Sequence, residues 1–133
     1  MRPRSSLVAF VLFLTSCGMS SSKRVVQEEL WNFKDAEAHI DKDTSRQMLA
    51  TYQERLTSSA VKIERSGDPT NKADLAISMQ ARWCAKDLDC LAAAKTLSND
   101  NLSPEEQKEN EGQLHHCLES FTQDVAELKR MAK

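Results

Sequence analysis

Leu114, Leu118, Phe121, Val125, Leu128 and Ala132 recur in alternating steps of four and three. That spacing lines six side chains along one stripe of a helix, and the stripe must be covered by other helices. Ser103-Pro104-Glu105-Glu106 sits upstream as its start signal: a cap, a proline in the first turn, and a glutamate placed to close a capping box. Gly112 weakens the early turns only locally. A chain that ends this way folds as a helical bundle. Three glycines and three prolines in 133 residues leave too few turns for a many-stranded alternative. Valine, isoleucine and the aromatics are also sparse.

Three earlier segments carry the same signature. Val26, Leu30, Phe33, Ala36 and Ile40 form a stripe on a helix starting near Lys23, with Trp31 off the stripe, either a flank of the core or an exposed contact, the flank being preferred. Asp41-Lys42-Asp43 interrupts it. Thr44-Ser45-Arg46-Gln47 then reads as a capping box for a second helix, with Met48, Leu49, Tyr52, Leu56, Ala60 and Ile63 inward. At Ser66-Gly67-Asp68-Pro69 the glycine suits a left-handed end, and Asp-Pro suits the cap and first position of a third helix. That helix runs from about Pro69 to Leu97. Leu75, Met79, Trp83 and Cys90 share one side, Ile77, Cys84, Leu88 and Leu91 lie near it, and Arg82, Lys86 and Asp89 mark the wet face. Asp87 falls in the apolar sector, which predicts a kink or break over Lys86–Asp89. The expected architecture is all-α: a small antiparallel four-helix bundle over residues 24–132.

Before the bundle comes a different kind of segment. Arg2 and Arg4 precede the unbroken apolar run Leu7–Leu14, too short for a spanning helix of ~20 residues and suited to a signal peptide. Leu14-Thr15-Ser16-Cys17 follows. This resembles the lipobox of bacterial lipoproteins, which implies cleavage of residues 1–16 and a diacylglyceryl thioether on Cys17. Two acyl chains suffice for stable anchoring. Residues 17–23 (CGMSSSK) then form the lipidated tether. Gly18 stands where an aspartate would favour inner-membrane retention, so the resemblance implies the outer membrane, with the domain facing the periplasm. Removing the leader takes two of the 18 basic residues and leaves 20 acids against 16, a net charge of −4 on 117 residues. That is one domain with a modest core, and nucleic acid is not its expected partner.

Cys84, Cys90 and Cys117 remain, in a compartment that favours disulfides. In an unbroken helix Cys84 and Cys90 rise ~9 Å apart, beyond bridging distance; a break between them would bring the pair into play. The preferred bridge is Cys90–Cys117, which staples the third helix to the fourth. Cys84 is then free and buried, or paired with another molecule. His115-His116-Cys117 with Cys84 and Cys90 offers zinc-capable atoms, but adjacent helical residues diverge by about 100° and no recognised ligand spacing is present. No metal or other cofactor is expected. His39 reads as a surface or groove histidine rather than a ligand. The acidic pairs Glu28-Glu29 and Glu105-Glu106 diverge on their helices, and no phosphate loop or nucleophile elbow appears. Cys84 in an apolar site is a poor nucleophile. No catalytic residues are assigned, and the chain reads as a non-enzyme that binds a periplasmic or outer-membrane protein.

Tyr52, the segment Gln80-Ala81-Arg82-Trp83, Asp87, Cys90, and then Cys117-Leu118, Thr122 and Glu127-Leu128 resemble the pattern of the LprI-like lysozyme-inhibitor lipoproteins. The resemblance covers roughly residues 44–130. The spacing from Trp83 to Cys90 is about one residue short of that pattern, its earlier cysteine pair is missing, and Cys84 is extra. The resemblance implies the Cys90–Cys117 bridge and inhibition of a lytic enzyme. Small helical pilotins of secretion systems offer a second expectation, in which a groove lined by Trp31, Trp83 or Phe33 holds an amphipathic partner helix. Cys84 to Cys90 followed by Leu91-Ala92-Ala93 resembles the exclusion or immunity lipoproteins of plasmids and phages.

Overall fold

The computed structural model describes residues 21–98 and 100–133. Cys17, the leader and most of the expected tether lie outside them. Four helices follow in order: α1 Ser21–His39, α2 Arg46–Ser66, α3 Lys72–Leu97 and α4 Pro104–Met131. Helix α1 therefore begins inside the stretch expected to be tether. No strand is present among the described residues, and no helix there is long and apolar enough to cross a membrane.

Side-chain bonds between the helices fix an antiparallel order. Asn32 pairs with Ser59 and Asp35 with Arg55 across α1 and α2. Gln53 meets Asp89 and Glu64 meets Arg82 across α2 and α3. Asn110 meets the Ala94 carbonyl and Gln80 meets Asp124 across α3 and α4. In each pair, residue numbers rise on one helix as they fall on the other. Gln27 with the Ala132 carbonyl and Glu37 with Lys129 join α1 to the C-terminal end of α4. Helix α3 is the centre of the packing, flanked by α2 and α4, which make no close backbone approach to each other. One pole holds the start of α1, the α2–α3 turn and the end of α4. The other holds the α1–α2 and α3–α4 loops.

The core is the set of stripes read from the sequence. Phe33, Leu49, Leu56, Ile63, Leu88, Leu91, Phe121 and Leu128 are fully buried at its centre. Several local expectations need correction. Met48 is exposed, because the inward arc of α2 begins at Leu49. Leu75, Met79 and Trp83 do share one side of α3, but it is the outer side; Ile77, Ala81, Cys84, Leu88 and Leu91 face the core. The cap of α2 is Ser45, whose Oγ accepts from the Met48 N–H at 3.2 Å. Thr44 Oγ1 is already taken, accepting from the Asp41 N–H at 2.8 Å. With Met48 in the reciprocal position, no box can close. Gly67 is extended, not left-handed. Helix α3 starts at Lys72, capped by Asn71, because the Asp68 carboxylate is occupied by the Thr70 N–H and hydroxyl. Ser103 and Glu106 form the capping box expected at α4.

Helix α3 also runs unbroken through Lys86–Asp89. Asp87 is accommodated without a kink: it is only partly buried, with one carboxylate oxygen covered and without a hydrogen-bond partner. An unbroken α3 leaves Cys84 and Cys90 unpaired with each other. Cys90 bridges to Cys117 with Cα atoms 5.9 Å apart, and Cys84 is free and buried. The bridge spans 27 residues, so its removal lifts a constraint on the unfolded chain worth about 3–4 kcal/mol in the chain-entropy account. We expect the double variant Cys90→Ser/Cys117→Ser to lose that much stability in urea unfolding. A loss below about 1 kcal/mol would show that the staple does not constrain the unfolded chain as described.

Candidate functional site

Two surface features stand out, one at each level of the bundle. The first is a groove of about 920 Å³ at the pole of the α1–α2 and α3–α4 loops. Its near wall is the corner Asp41–Arg46, its base includes Lys95 and Ser98 of α3, and its far wall is Gln107 to Leu118 of α4. The groove follows from helix lengths. Helix α1 has 19 residues and α4 has 28. At 1.5 Å per residue, α4 outruns α1 by roughly 13 Å. Since α1 meets α4 near the C-terminal end of α4 and α2 does not approach it, Leu114 and Leu118 are only partly covered.

Both walls are held by local hydrogen bonds. Asp43 N–H donates to Asp41 Oδ1 at 2.8 Å, and Lys95 Nζ donates to the Lys42 carbonyl at 2.6 Å, tying the corner to the end of α3. Asn110 is buried: its amide donates to the Ala94 carbonyl at 2.9 Å and its Oδ1 accepts from the Ser98 hydroxyl at 2.6 Å. These contacts fix the start of α4 against α3, which keeps the gap to the corner open. Beside the groove, residues 100–111 carry Asp100, Glu105, Glu106, Glu109 and Glu111 against the single base Lys108. That stretch is acidic, whereas the groove lining itself balances Asp41, Asp43 and Glu111 against Lys42, Arg46 and Lys95.

The second feature is the row Leu75, Met79 and Trp83, spaced by four on the outer face of α3 and 45%, 51% and 48% exposed. Trp31 is 65% exposed, on α1, and is a solvent-facing residue rather than a flank of the core. Phe33 is fully buried. The three residues expected to line one partner groove are therefore not brought together. Phe33 belongs to the core, and it sits on the opposite side of α1 from Trp31. The groove at the pole was not expected at all. Its only sequence signal was the unequal length of the first and last helices.

Cys84 is enclosed by the core. Burial pushes its thiol above the ordinary range, and the nearby Asp124 and Asp87 carboxyls add to the shift. It stays protonated at neutral pH and is a poor nucleophile. Gln113 Nε2 lies 3.6 Å from Cys90 Sγ and covers the bridge from the α4 side. Among the described residues, no group of three or more His, Cys, Asp or Glu side chains is placed to hold a metal ion. His115 and His116 follow each other on α4 and are both exposed.

No family model, curated protein or solved structure matches the chain.

The two aromatics differ in what they do, and mutation separates them. Phe33→Ala should cost about 3–5 kcal/mol, from lost burial and the cavity left behind. Trp83→Ala should cost less than about 1 kcal/mol, since half of the ring is in water already. Equal losses in thermal or urea unfolding would contradict this assignment of core and surface.

Proposed function

We propose that the chain is a lipid-anchored protein of the outer membrane whose helical domain grips a protein partner in the periplasm. The observation that carries this reading is the placement of the two ends. Helix α1 starts only four residues after Cys17, at the pole opposite the groove. A lipid on Cys17 holds one pole within roughly 15 Å of the bilayer and presents the groove away from it. The activity is binding, not catalysis.

Within this reading the preferred partner is a basic lytic enzyme of the lysozyme type, as the resemblance of residues 44–130 implies. The acidic run Asp100 to Glu111 supports a basic partner, because opposite potentials steer encounter and fix register. A pilotin-like role is the second reading. It is favoured by the apolar row Leu75, Met79 and Trp83, which fits one face of an amphipathic helix from a secretion-system component.

The inhibitor reading is tested with the purified full-length protein and a basic lysozyme. Micromolar protein should slow lysis at low salt, and the effect should fade as ionic strength rises. Glu109→Lys/Glu111→Lys should weaken inhibition at least tenfold without unfolding the domain, because both residues are exposed and lie past the first turn of α4. No inhibition at low salt would reject the lysozyme partner. Unchanged inhibition by the charge-reversed protein would reject the acidic pole as the contact surface.

A further inference from the structure

Lys72, Leu75, Met79, Arg82, Trp83 and Lys86 lie within one arc of α3, and all six are exposed. The opposite arc is the one buried against the other three described helices. The exposed arc is an apolar row with a base at each end and a third beside it. No acid falls within it. Asp74 is buried on another side of the helix, where its Oδ2 accepts from the Asp68 N–H at 2.9 Å, and Asp87 is partly buried. Arg82 pairs with Glu64 of α2, while among the described residues Lys72 and Lys86 are in no ion pair. Tryptophan and long apolar side chains flanked by lysine and arginine are the composition of a helix face that lies in a membrane interface.

The position of the row within the bundle points the same way. Leu75 stands in the first turn of α3, and α1 begins at that same pole at Ser21. Trp83 lies ~12 Å farther along the axis of α3. Cys17 is four residues before Ser21, a reach of roughly 15 Å. A lipid on Cys17 therefore sets the bilayer surface at the level where the row starts. Arg24 and Arg65 are exposed at this pole as well. Of the acids there, Glu64 is engaged by Arg82, and Asp68 accepts from the Thr70 N–H and hydroxyl.

We propose that the outer face of α3 from Lys72 to Lys86 rests on the bilayer surface, with Leu75, Met79 and Trp83 in the interface and the flanking bases at anionic headgroups. This inference rests on the lipid-anchor reading above and adds a second contact to it. A single tether fixes the distance of a domain from the membrane and leaves its orientation open. A second contact on α3 leans the bundle onto that helix. The contact stops at Lys86, because Asp89 follows it at the edge of the arc, where it accepts from Gln53 of α2. Helix α3 continues to Leu97, so the groove at the far pole stays clear of the membrane.

Two arguments favour a lipid surface over an amphipathic partner helix on this row. The tether holds headgroups beside the row at all times, an effective concentration that a diffusing partner does not match. The bases at both ends of the row suit phosphate groups spread over a surface, and their long stems let the charge reach the headgroups while the row sits deeper. Trp31 supplies the contrast. It is more exposed than Trp83, but it stands on α1, and the outer face of α3 turns away from α1.

The two tryptophans make the test direct. Protein recovered from membranes is reconstituted in phosphatidylcholine vesicles with and without phosphatidylglycerol. Trp31→Phe leaves Trp83 as the reporter, and Trp83→Phe leaves Trp31. Trp83 emission should shift to the blue on vesicles. Lipids brominated near the headgroup end of the acyl chain should quench it at least about twofold more than they quench Trp31. In the Trp31→Phe background, Lys72→Glu/Lys86→Glu should lose the extra quenching that phosphatidylglycerol brings. Trp83 unquenched, or quenched no more than Trp31, overturns the contact and leaves the row to a partner helix. The mass of the same preparation reads the anchor separately. An unacylated chain rejects the anchor reading, and the same vesicles added to that chain then decide the contact: selective quenching of Trp83 supports it, and its absence overturns it.

Discussion

The seam between α3 and α4 is the constraint on which the rest of the molecule depends. Helix α3 packs along each of the other three described helices, and α2 and α4 make no close backbone approach to each other. The first half of α4 extends beyond α1 and rests on α3 through Asn110, Gln113 and the Cys90–Cys117 bridge. A helix projecting past its bundle loses the apolar burial that ordinarily holds it. Here covalent and polar ties substitute for part of that burial, because Leu114 and Leu118 are only partly covered. The staple and the Asn110 bonds together fix the far wall of the groove.

That arrangement separates the two ends of the molecule by role. At one pole lie the start of α1 and the end of α4, tied by Gln27 and the Ala132 carbonyl. At the other lie two loops locked by Lys95 to the Lys42 carbonyl, the groove, and the acidic start of α4. An anchor on Cys17 would give this polarity a direction relative to the membrane. The net charge of the domain is modest, and five of its acids fall within residues 100–111 beside the groove. Short surface helices often share charge evenly around their length; here the residues from Asp100 to Glu111 break that evenness.

Most of the fold was legible because apolar spacing is a strong signal in a chain with few breakers. The stripes of α1, α2 and α4 mapped onto the core almost residue for residue. The capping box at Ser103 was readable because proline and Glu106 reinforce it. Reading failed where one polar side chain competes for several backbone partners. Thr44 and Asp68 are capping residues by type, yet each is captured by a turn one step earlier. The inward face of α3 was harder, since alanine, cysteine, glutamine and serine occupy it along with leucine, and its larger apolar residues point outward. Asp87 was recognised as a misfit but explained by a broken helix. The helix instead continues through it and leaves one carboxylate oxygen covered without a hydrogen-bond partner. The groove was illegible for a related reason: it is a gap set by tertiary register, not a motif.

The proposed anchor on Cys17 would turn the pole at which α1 begins toward the membrane, and the direction of the groove as a binding surface depends on it. Intact mass and amino-terminal analysis of the native protein recovered from membranes tests it most directly. The account predicts a mature chain beginning at residue 17, with a diacylglyceryl thioether on Cys17. An unacylated Cys17, or an amino terminus created elsewhere, would contradict it.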